Sequence, residues 1–179
     1  MYYCIIAIPS QVAPSSPMAQ THPDRLATTA TLFGMSPAPV ERCRVLELGC
    51  ATGGNLIAMA EQLPFSQFVG IDLSPRQIAE GQALIHELGI ENIVLRPMSI
   101  LDVTPELGQF DYIICHGVYS WVPRDVQSKI LSVCKQNLAP NGVAFISYNV
   151  YPGWHSRGMV RDMMQFHARH GGDPETCTK

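Results

Sequence analysis

Charged side chains are scarce here: Lys, Arg, Asp and Glu make up 15% of the 179 residues, and the formal net charge is −3. A chain so poor in cations has no basic surface for a phosphate backbone, so no nucleic-acid partner is expected. Long apolar runs are missing too. The opening Met1-Tyr2-Tyr3-Cys4-Ile5-Ile6-Ala7-Ile8 is far short of the roughly 20 residues a bilayer requires, and it lacks the basic start of a signal peptide. Neither a membrane anchor nor a signal peptide is expected. The six cysteines, at 4, 43, 50, 115, 134 and 177, include no C-x-x-C pair. That disfavours a zinc or disulfide framework and points to reduced, mostly buried thiols, as in a cytoplasmic protein. No internal repeat is visible, which excludes solenoids and propellers.

What is present suits one globular domain: 46% of the residues are apolar and the mean hydropathy is near zero. Residues 1–20, rich in proline and serine from Pro9 to Pro17, are expected to be a flexible lead-in, 21–170 a single domain and 171–179 a tail. Within the domain, apolar runs alternate with helical patterns, the mark of an α/β fold with a mostly parallel sheet covered on both faces. Strands are expected at Arg44–Leu48, Gln67–Asp72, Ile93–Arg96, Tyr112–Cys115 and Val143–Ser147, the last after an Ala139-Pro140-Asn141-Gly142 turn. A leading helix should start near Thr21 and stop at Gly34, and a second should run from Gly53 to about Leu63, where Pro64 ends it. The third is sharply punctuated, with Ser74 as N-cap, Pro75 first in the helix, Gln77 completing a capping box and Gly89 beyond its end. Val126, Ile130, Cys134 and Leu138 mark a fourth helix, and Gly158 to His170 a fifth.

The most informative segment is Arg44-Val45-Leu46-Glu47-Leu48-Gly49-Cys50-Ala51-Thr52-Gly53-Gly54-Asn55, followed nineteen residues after Gly53 by Asp72. An apolar strand ending in a glycine-rich turn lets backbone N–H groups approach a ligand, and an acid closing the next strand can take ribose hydroxyls. This reads as a nucleoside-cofactor site. A pyrophosphate binder would show G-x-G-x-x-G, whereas Gly49, Ala51 and Gly53 fall at alternate positions. Glu47 adds a negative charge that repels a diphosphate and attracts the cationic amino-acid end of S-adenosylmethionine. An NAD-linked oxidoreductase is the weaker reading, since no Tyr-x-x-x-Lys is present.

E-L-G-C-A-T-G-G-N with G-I-D-L-S after it resembles motifs I and II of the Rossmann-like class I S-adenosylmethionine-dependent methyltransferases. T-H-P-D-R-L-A at Thr21–Ala27, F-D-Y-I-I-C-H-G-V-Y-S-W-V-P at Phe110–Pro123 and S-Y-N-V-Y-P-G-W-H at Ser147–His155 look like a narrower bacterial group. There a methyltransferase domain precedes a regulatory domain, and some members are protein lysine methyltransferases acting on outer-membrane proteins. The resemblance implies that Gly49, Ala51 and Gly53 floor the amino-acid part of S-adenosyl-L-methionine, that Glu47 organises the loop, and that Asp72, with Leu73 beside it, receives the ribose. Ser99 with Ile100 should border the adenine, with Asp102 as the alternative to Ser99. His116, Tyr119 and Trp121 would border the sulfonium and the acceptor. His116 would act there as a base or a loop support, unless it is an ordinary structural histidine. Tyr148, Asn149, Tyr151 and Trp154 form a second wall or pack as core. His22, Asp24 and Arg25 would cap the cofactor, Arg25 meeting the methionyl carboxylate.

The implied chemistry is direct in-line methyl transfer to a nucleophile, plausibly a protein lysine or another amine, with no metal and no covalent enzyme intermediate. The alternative is a cofactor-binding remnant without turnover. The family sheet has seven strands, ordered 3-2-1-4-5-7-6, and five are found. A truncated domain with the final strand pair missing is therefore expected, leaving the fifth strand as an exposed edge open to self-association.

Overall fold

The computed structural model describes residues 17–169. The lead-in before Pro17, the tail at 171–179, His170, Cys4 and Cys177 lie outside the described residues. The chain divides between Tyr148 and Asn149 into two compact units.

The first unit runs α1 (Pro23–Leu32), β1 (Arg44–Leu48), α2 (Gly54–Gln62), β2 (Gln67–Asp72), α3 (Pro75–Leu88), β3 (Ile93–Pro97), β4 (Phe110–Cys115), α4 (Arg124–Asn137) and β5 (Leu138–Ile146). The strands form one parallel sheet in the order β3-β2-β1-β4-β5. Among the described residues β5 has no strand on its outer side. Central parallel strands are covered on both faces, which is why β1 and β4 read as near-continuous apolar runs. Val45, Tyr112 and Ile114 pack with Leu26 of α1, Leu56 and Ala60 of α2 and Ile78 of α3. Leu46, Leu48, Ile113 and Cys115 face the other way, against Ile130, Val133 and Cys134 of α4. Ile130 and Val133 are fully buried, each worth about 1.5–3 kcal/mol of apolar transfer. The chain winds one way from β1 to β2 and the other way to β4, so the strand order reverses beside β1 and leaves a crevice at the carboxyl ends.

Helix α3 is bounded as its sequence predicts: Ser74 Oγ accepts the Gln77 N–H at 3.4 Å, and Gly89 closes the helix in the left-handed region at φ 66°. Two expectations are corrected. The leading helix starts at Pro23 rather than near Thr21: His22 caps it, its Nδ1 accepting the Asp24 N–H at 3.2 Å, and the Thr21 hydroxyl is committed elsewhere. The Ala139–Gly142 turn does not precede the last strand but lies inside it. Phe110 pairs with Leu138 and Tyr112 with Val143, so four residues bulge opposite Asp111, with Asn141 at φ 63°. Gly142 makes that bulge possible, since a Cβ there would stand 2.9 Å from the Ala139 carbonyl oxygen.

The second unit carries α5 (His155–Arg169), which starts three residues before the expected Gly158, after a turn in which the Tyr151 and His155 rings lie 4.6 Å apart. No described helix is long and apolar enough to cross a membrane.

Candidate active site

The loop leaving β1 alternates its handedness: Gly49 and Gly53 have φ 76° and Ala51 has φ 53°. A non-glycine residue in that region costs about 1–2 kcal/mol, and the cost is met here by a specific bond. The Ala51 N–H donates to Asp72 Oδ2 at 2.9 Å, while Asp72 Oδ1 accepts the Ser74 N–H at 2.9 Å. Asp72 thus bolts the loop after β1 to the turn after β2, and its carbonyl accepts the Met98 N–H from the end of β3 at 2.9 Å. Each carboxylate oxygen keeps a second lone pair. Glycine is required at Gly53, where a Cβ would lie 2.7 Å from Leu95 Cδ1, and at Gly81 of α3, where one would collide with the Thr52 carbonyl.

Behind the loop lies a buried polar relay. Glu47 is 5% exposed on the apolar Val45 face of β1. Its Oε1 accepts from Asn55 Nδ2 at 2.9 Å, and its Oε2 is buried with no hydrogen-bond partner among the described residues. Asn55, in the first turn of α2, also donates from Nδ2 to Thr21 Oγ1 at 3.0 Å and accepts the Met18 N–H on Oδ1 at 2.9 Å. Thr21 Oγ1 donates to the Met18 carbonyl at 2.9 Å. Burial pushes the Glu47 carboxyl up from its ordinary 4.5 to about 7; the Asn55 bond opposes this and the nearby Asp72 charge adds to it. A bare, buried carboxylate oxygen is costly unless a donor or a cation arrives to meet it. That oxygen suits an ammonium, the left-handed loop suits a ligand approaching the backbone, and the spare lone pairs of Asp72 suit vicinal hydroxyls. The residues present therefore fit an amino-acid-bearing nucleoside.

The segment after β4 borders the same loop, Val118 lying against Gly49. The Gly117 N–H donates to the buried Ser147 Oγ at 2.8 Å, and the Ser147 N–H donates to the Cys115 carbonyl at 3.1 Å, which fastens the turn to the end of β5. His116 is half-buried with its ring 6.0 Å from that of Phe145. Its Nδ1 is buried without a hydrogen-bond partner among the described residues, and burial lowers its pKa. Tyr119 lies 6.2 Å from Tyr148, ring to ring, and its carbonyl accepts from Gln127 Nε2 at 2.9 Å.

A family profile described as a methyltransferase domain matches residues 46–144, from β1 into β5. The chain belongs to the methyltransferase domain family. Its sheet and helices are those of a Rossmann-like class I S-adenosylmethionine-dependent methyltransferase. The Rickettsia prowazekii proteins RP789 and RP028 are 51% and 48% identical to it over 154 and 155 residues, covering 86% and 87% of the chain. The structure of PKMT2 from Rickettsia typhi in complex with AdoHcy superposes with a TM-score of 0.82 at 45% identity over 90% of the chain. The chain spans 28% of RP789, 62% of RP028 and 31% of the PKMT2 chain.

In this methyltransferase domain, the expected residues Glu47, Gly49, Ala51, Gly53 and Asp72 gather at the ends of β1 and β2, and His116 and Tyr119 stand beside them after β4. Leu73 is 76% exposed at the rim. Ser99 caps the short turn Ile100–Asp102, its Oγ accepting the Leu101 N–H at 3.2 Å; Ile100 is half-buried and Asp102 exposed. Trp121 is half-buried, its N–H donating to the Val118 carbonyl at 2.9 Å. Arg25 is exposed on α1, on the turn after the His22 cap. Asn149, Tyr151 and Trp154 belong to the second unit. Sequence reasoning missed Asn55, Thr21 and Ser147. For Asn55 a signal existed: it is a polar residue on the helix face that carries Leu56, Met59 and Ala60.

Proposed function

We propose that this chain binds S-adenosylmethionine at the carboxyl ends of β1 and β2 and serves as the catalytic domain of a methyltransferase whose acceptor is a protein lysine. The observation that carries the cofactor half is Glu47, a buried carboxylate with one oxygen held and the other bare. An ammonium is the group that satisfies it; among the described residues the side chains that act on its carboxyl are Asn55 and Asp72, neither of them a cation.

When bound, the cofactor supplies a methyl group on a sulfonium, already activated toward a nucleophile. The chain supplies position and proton handling. Glu47 Oε2 meets the amino-acid ammonium, Arg25 the carboxylate, and Asp72 the ribose hydroxyls through its two spare lone pairs. Leu73 and Ile100 flank the adenine, whose amino group goes to Ser99 or Asp102. A lysine must lose a proton before it can attack. His116, neutral because burial lowers its pKa and with Nδ1 uncommitted, accepts that proton. Tyr119 and Trp121 exclude water and offer ring faces to the dispersing positive charge.

The lysine acceptor is supported by the sequence resemblance to a group that includes protein lysine methyltransferases, by the 45% identity to PKMT2 of Rickettsia typhi, and by the aromatic side chains after β4. The free cysteines among the described residues fit a cytoplasmic location, and the outer edge of β5 is the surface available for self-association. Isothermal titration with AdoHcy, paired with transfer of labelled methyl groups to protein and amine acceptors, tests the reading. Binding with lysine labelling is expected. Binding without transfer to any acceptor points instead to a remnant without turnover, and an absence of binding overturns the cofactor assignment.

A further inference from the structure

We infer that Thr21 and Asn55 are positioning residues for the cofactor's amino-acid end: they clamp one oxygen of Glu47 so that the other is presented, and the chain ahead of α1 is a working part of the site. This rests on the proposed cofactor reading. The argument begins with the orientation of the Asn55 amide. Its Oδ1 accepts the Met18 N–H at 2.9 Å, and its Nδ2 faces Glu47 Oε1 at 2.9 Å and Thr21 Oγ1 at 3.0 Å. Turning the amide over would set oxygen against carboxylate and NH₂ against an N–H, so a backbone group of Met18 fixes Asn55 as a donor to Glu47. Thr21 closes the ring. Its single hydroxyl proton goes to the Met18 carbonyl at 2.9 Å, which leaves its lone pairs toward Asn55.

The clamp joins three parts of the chain: the segment before α1, the first turn of α2 and the carboxyl end of β1. All three side chains are buried, Thr21 at 0%, Asn55 at 4% and Glu47 at 5% exposure. A glutamate has three rotatable side-chain bonds, and holding it in one rotamer by a single oxygen costs entropy on folding. That expense is unneeded for stability, since an apolar residue would fill β1 at less cost. It makes sense if the second oxygen must stand at a fixed point for a ligand. Asp72 and the glycine loop serve the nucleoside; Thr21 and Asn55 serve the amino-acid end through Glu47.

Two ligands separate this role from general support. AdoHcy carries the amino-acid end, and 5′-methylthioadenosine keeps the nucleoside without it. In the full chain, Thr21→Val is expected to weaken AdoHcy by roughly 5- to 10-fold, the scale of one buried hydrogen bond, and to leave 5′-methylthioadenosine within about twofold of wild type. Thr21→Ser restores AdoHcy. Should Thr21→Val not fold, Met18→Pro, which removes the N–H that orients Asn55, carries the same expectation. Equal losses for both ligands, or an unchanged AdoHcy affinity, overturn the inference while leaving the cofactor reading intact. Wild-type protein that binds neither ligand overturns the cofactor reading and the inference with it.

Discussion

Replacing Glu47 with Gln keeps the shape and the Asn55 bond and removes one titration, so it isolates the charge buried in β1. In the folded chain the carboxyl sits at about 7 against an ordinary 4.5. The folded state therefore holds a proton that the unfolded state has released between those two values. Stability falls with pH wherever the folded state binds more protons. The favourable contribution is fully present below pH 4.5, declines as pH rises, and is gone above about 7. At about 1.4 kcal/mol per pH unit, the gap corresponds to about 3 kcal/mol, with no discount for screening because the group is 5% exposed. Urea melts of both proteins from pH 4.5 to 8.5, without ligand, should show the Glu47→Gln variant gaining about 3 kcal/mol on wild type as pH rises to 7, then holding a constant lead. Ligand reverses the order. An ammonium beside Oε2 draws the carboxyl down, so wild type should bind AdoHcy more tightly from pH 6 to 8, and the variant should lose roughly 10- to 150-fold of affinity at pH 8, the worth of a charge-assisted contact. Parallel stability curves across this range would refute the buried-charge reasoning, and equal AdoHcy affinity at pH 8 would remove Glu47 from the site.

Other outcomes follow from single contacts. Asp72→Ala should weaken AdoHcy and also lower stability by about 1–3 kcal/mol, because the Ala51 and Ser74 N–H groups lose their acceptor; a variant with unchanged affinity contradicts the ribose assignment. Gly81→Ala forces a Cβ onto the Thr52 carbonyl, and a thermal melt should show a loss of about 1–3 kcal/mol together with weaker AdoHcy binding, since Thr52 lies in the loop. His116 should titrate below its ordinary 6.5 by NMR, staying neutral at pH 7 and giving up stability only as acid forces a proton onto the buried ring; a value above 6.5 would contradict its burial. Cys43, Cys50, Cys115 and Cys134 are buried, with their thiols pushed up by desolvation, that of Cys115 to about 12. Native protein should therefore react quickly with a thiol reagent at no more than two of its six cysteines, and at all six once unfolded.

Where local chemistry and tertiary demand agreed, the sequence was readable. Central strands β1 and β4 announce themselves because burial on both faces removes polar alternation, and α3 does so because Ser74, Pro75 and Gly89 each have one conformational preference. Glu47 stood out as a carboxylate within the apolar first strand, just ahead of the glycine-rich turn. The start of β5 was hidden because Pro140-Asn141-Gly142 has turn chemistry, and only pairing with β4 shows that the turn is absorbed as a bulge. The start of α1 was placed early, near Thr21, because a threonine ahead of Pro23 and Asp24 looks locally like a helix start, yet its hydroxyl is drawn away by Met18 and by Asn55, 34 residues along. No window along the chain contains that competition.

Asp72 fastens both rims of the crevice through backbone N–H groups, with no guest required. The disorder of the two turns is therefore surrendered when the chain folds and not when a nucleoside arrives, which leaves more of each contact to appear as affinity. Such a receptor behaves as a mould more than as a hand, and its selectivity should resist changes that merely loosen distant parts of the protein.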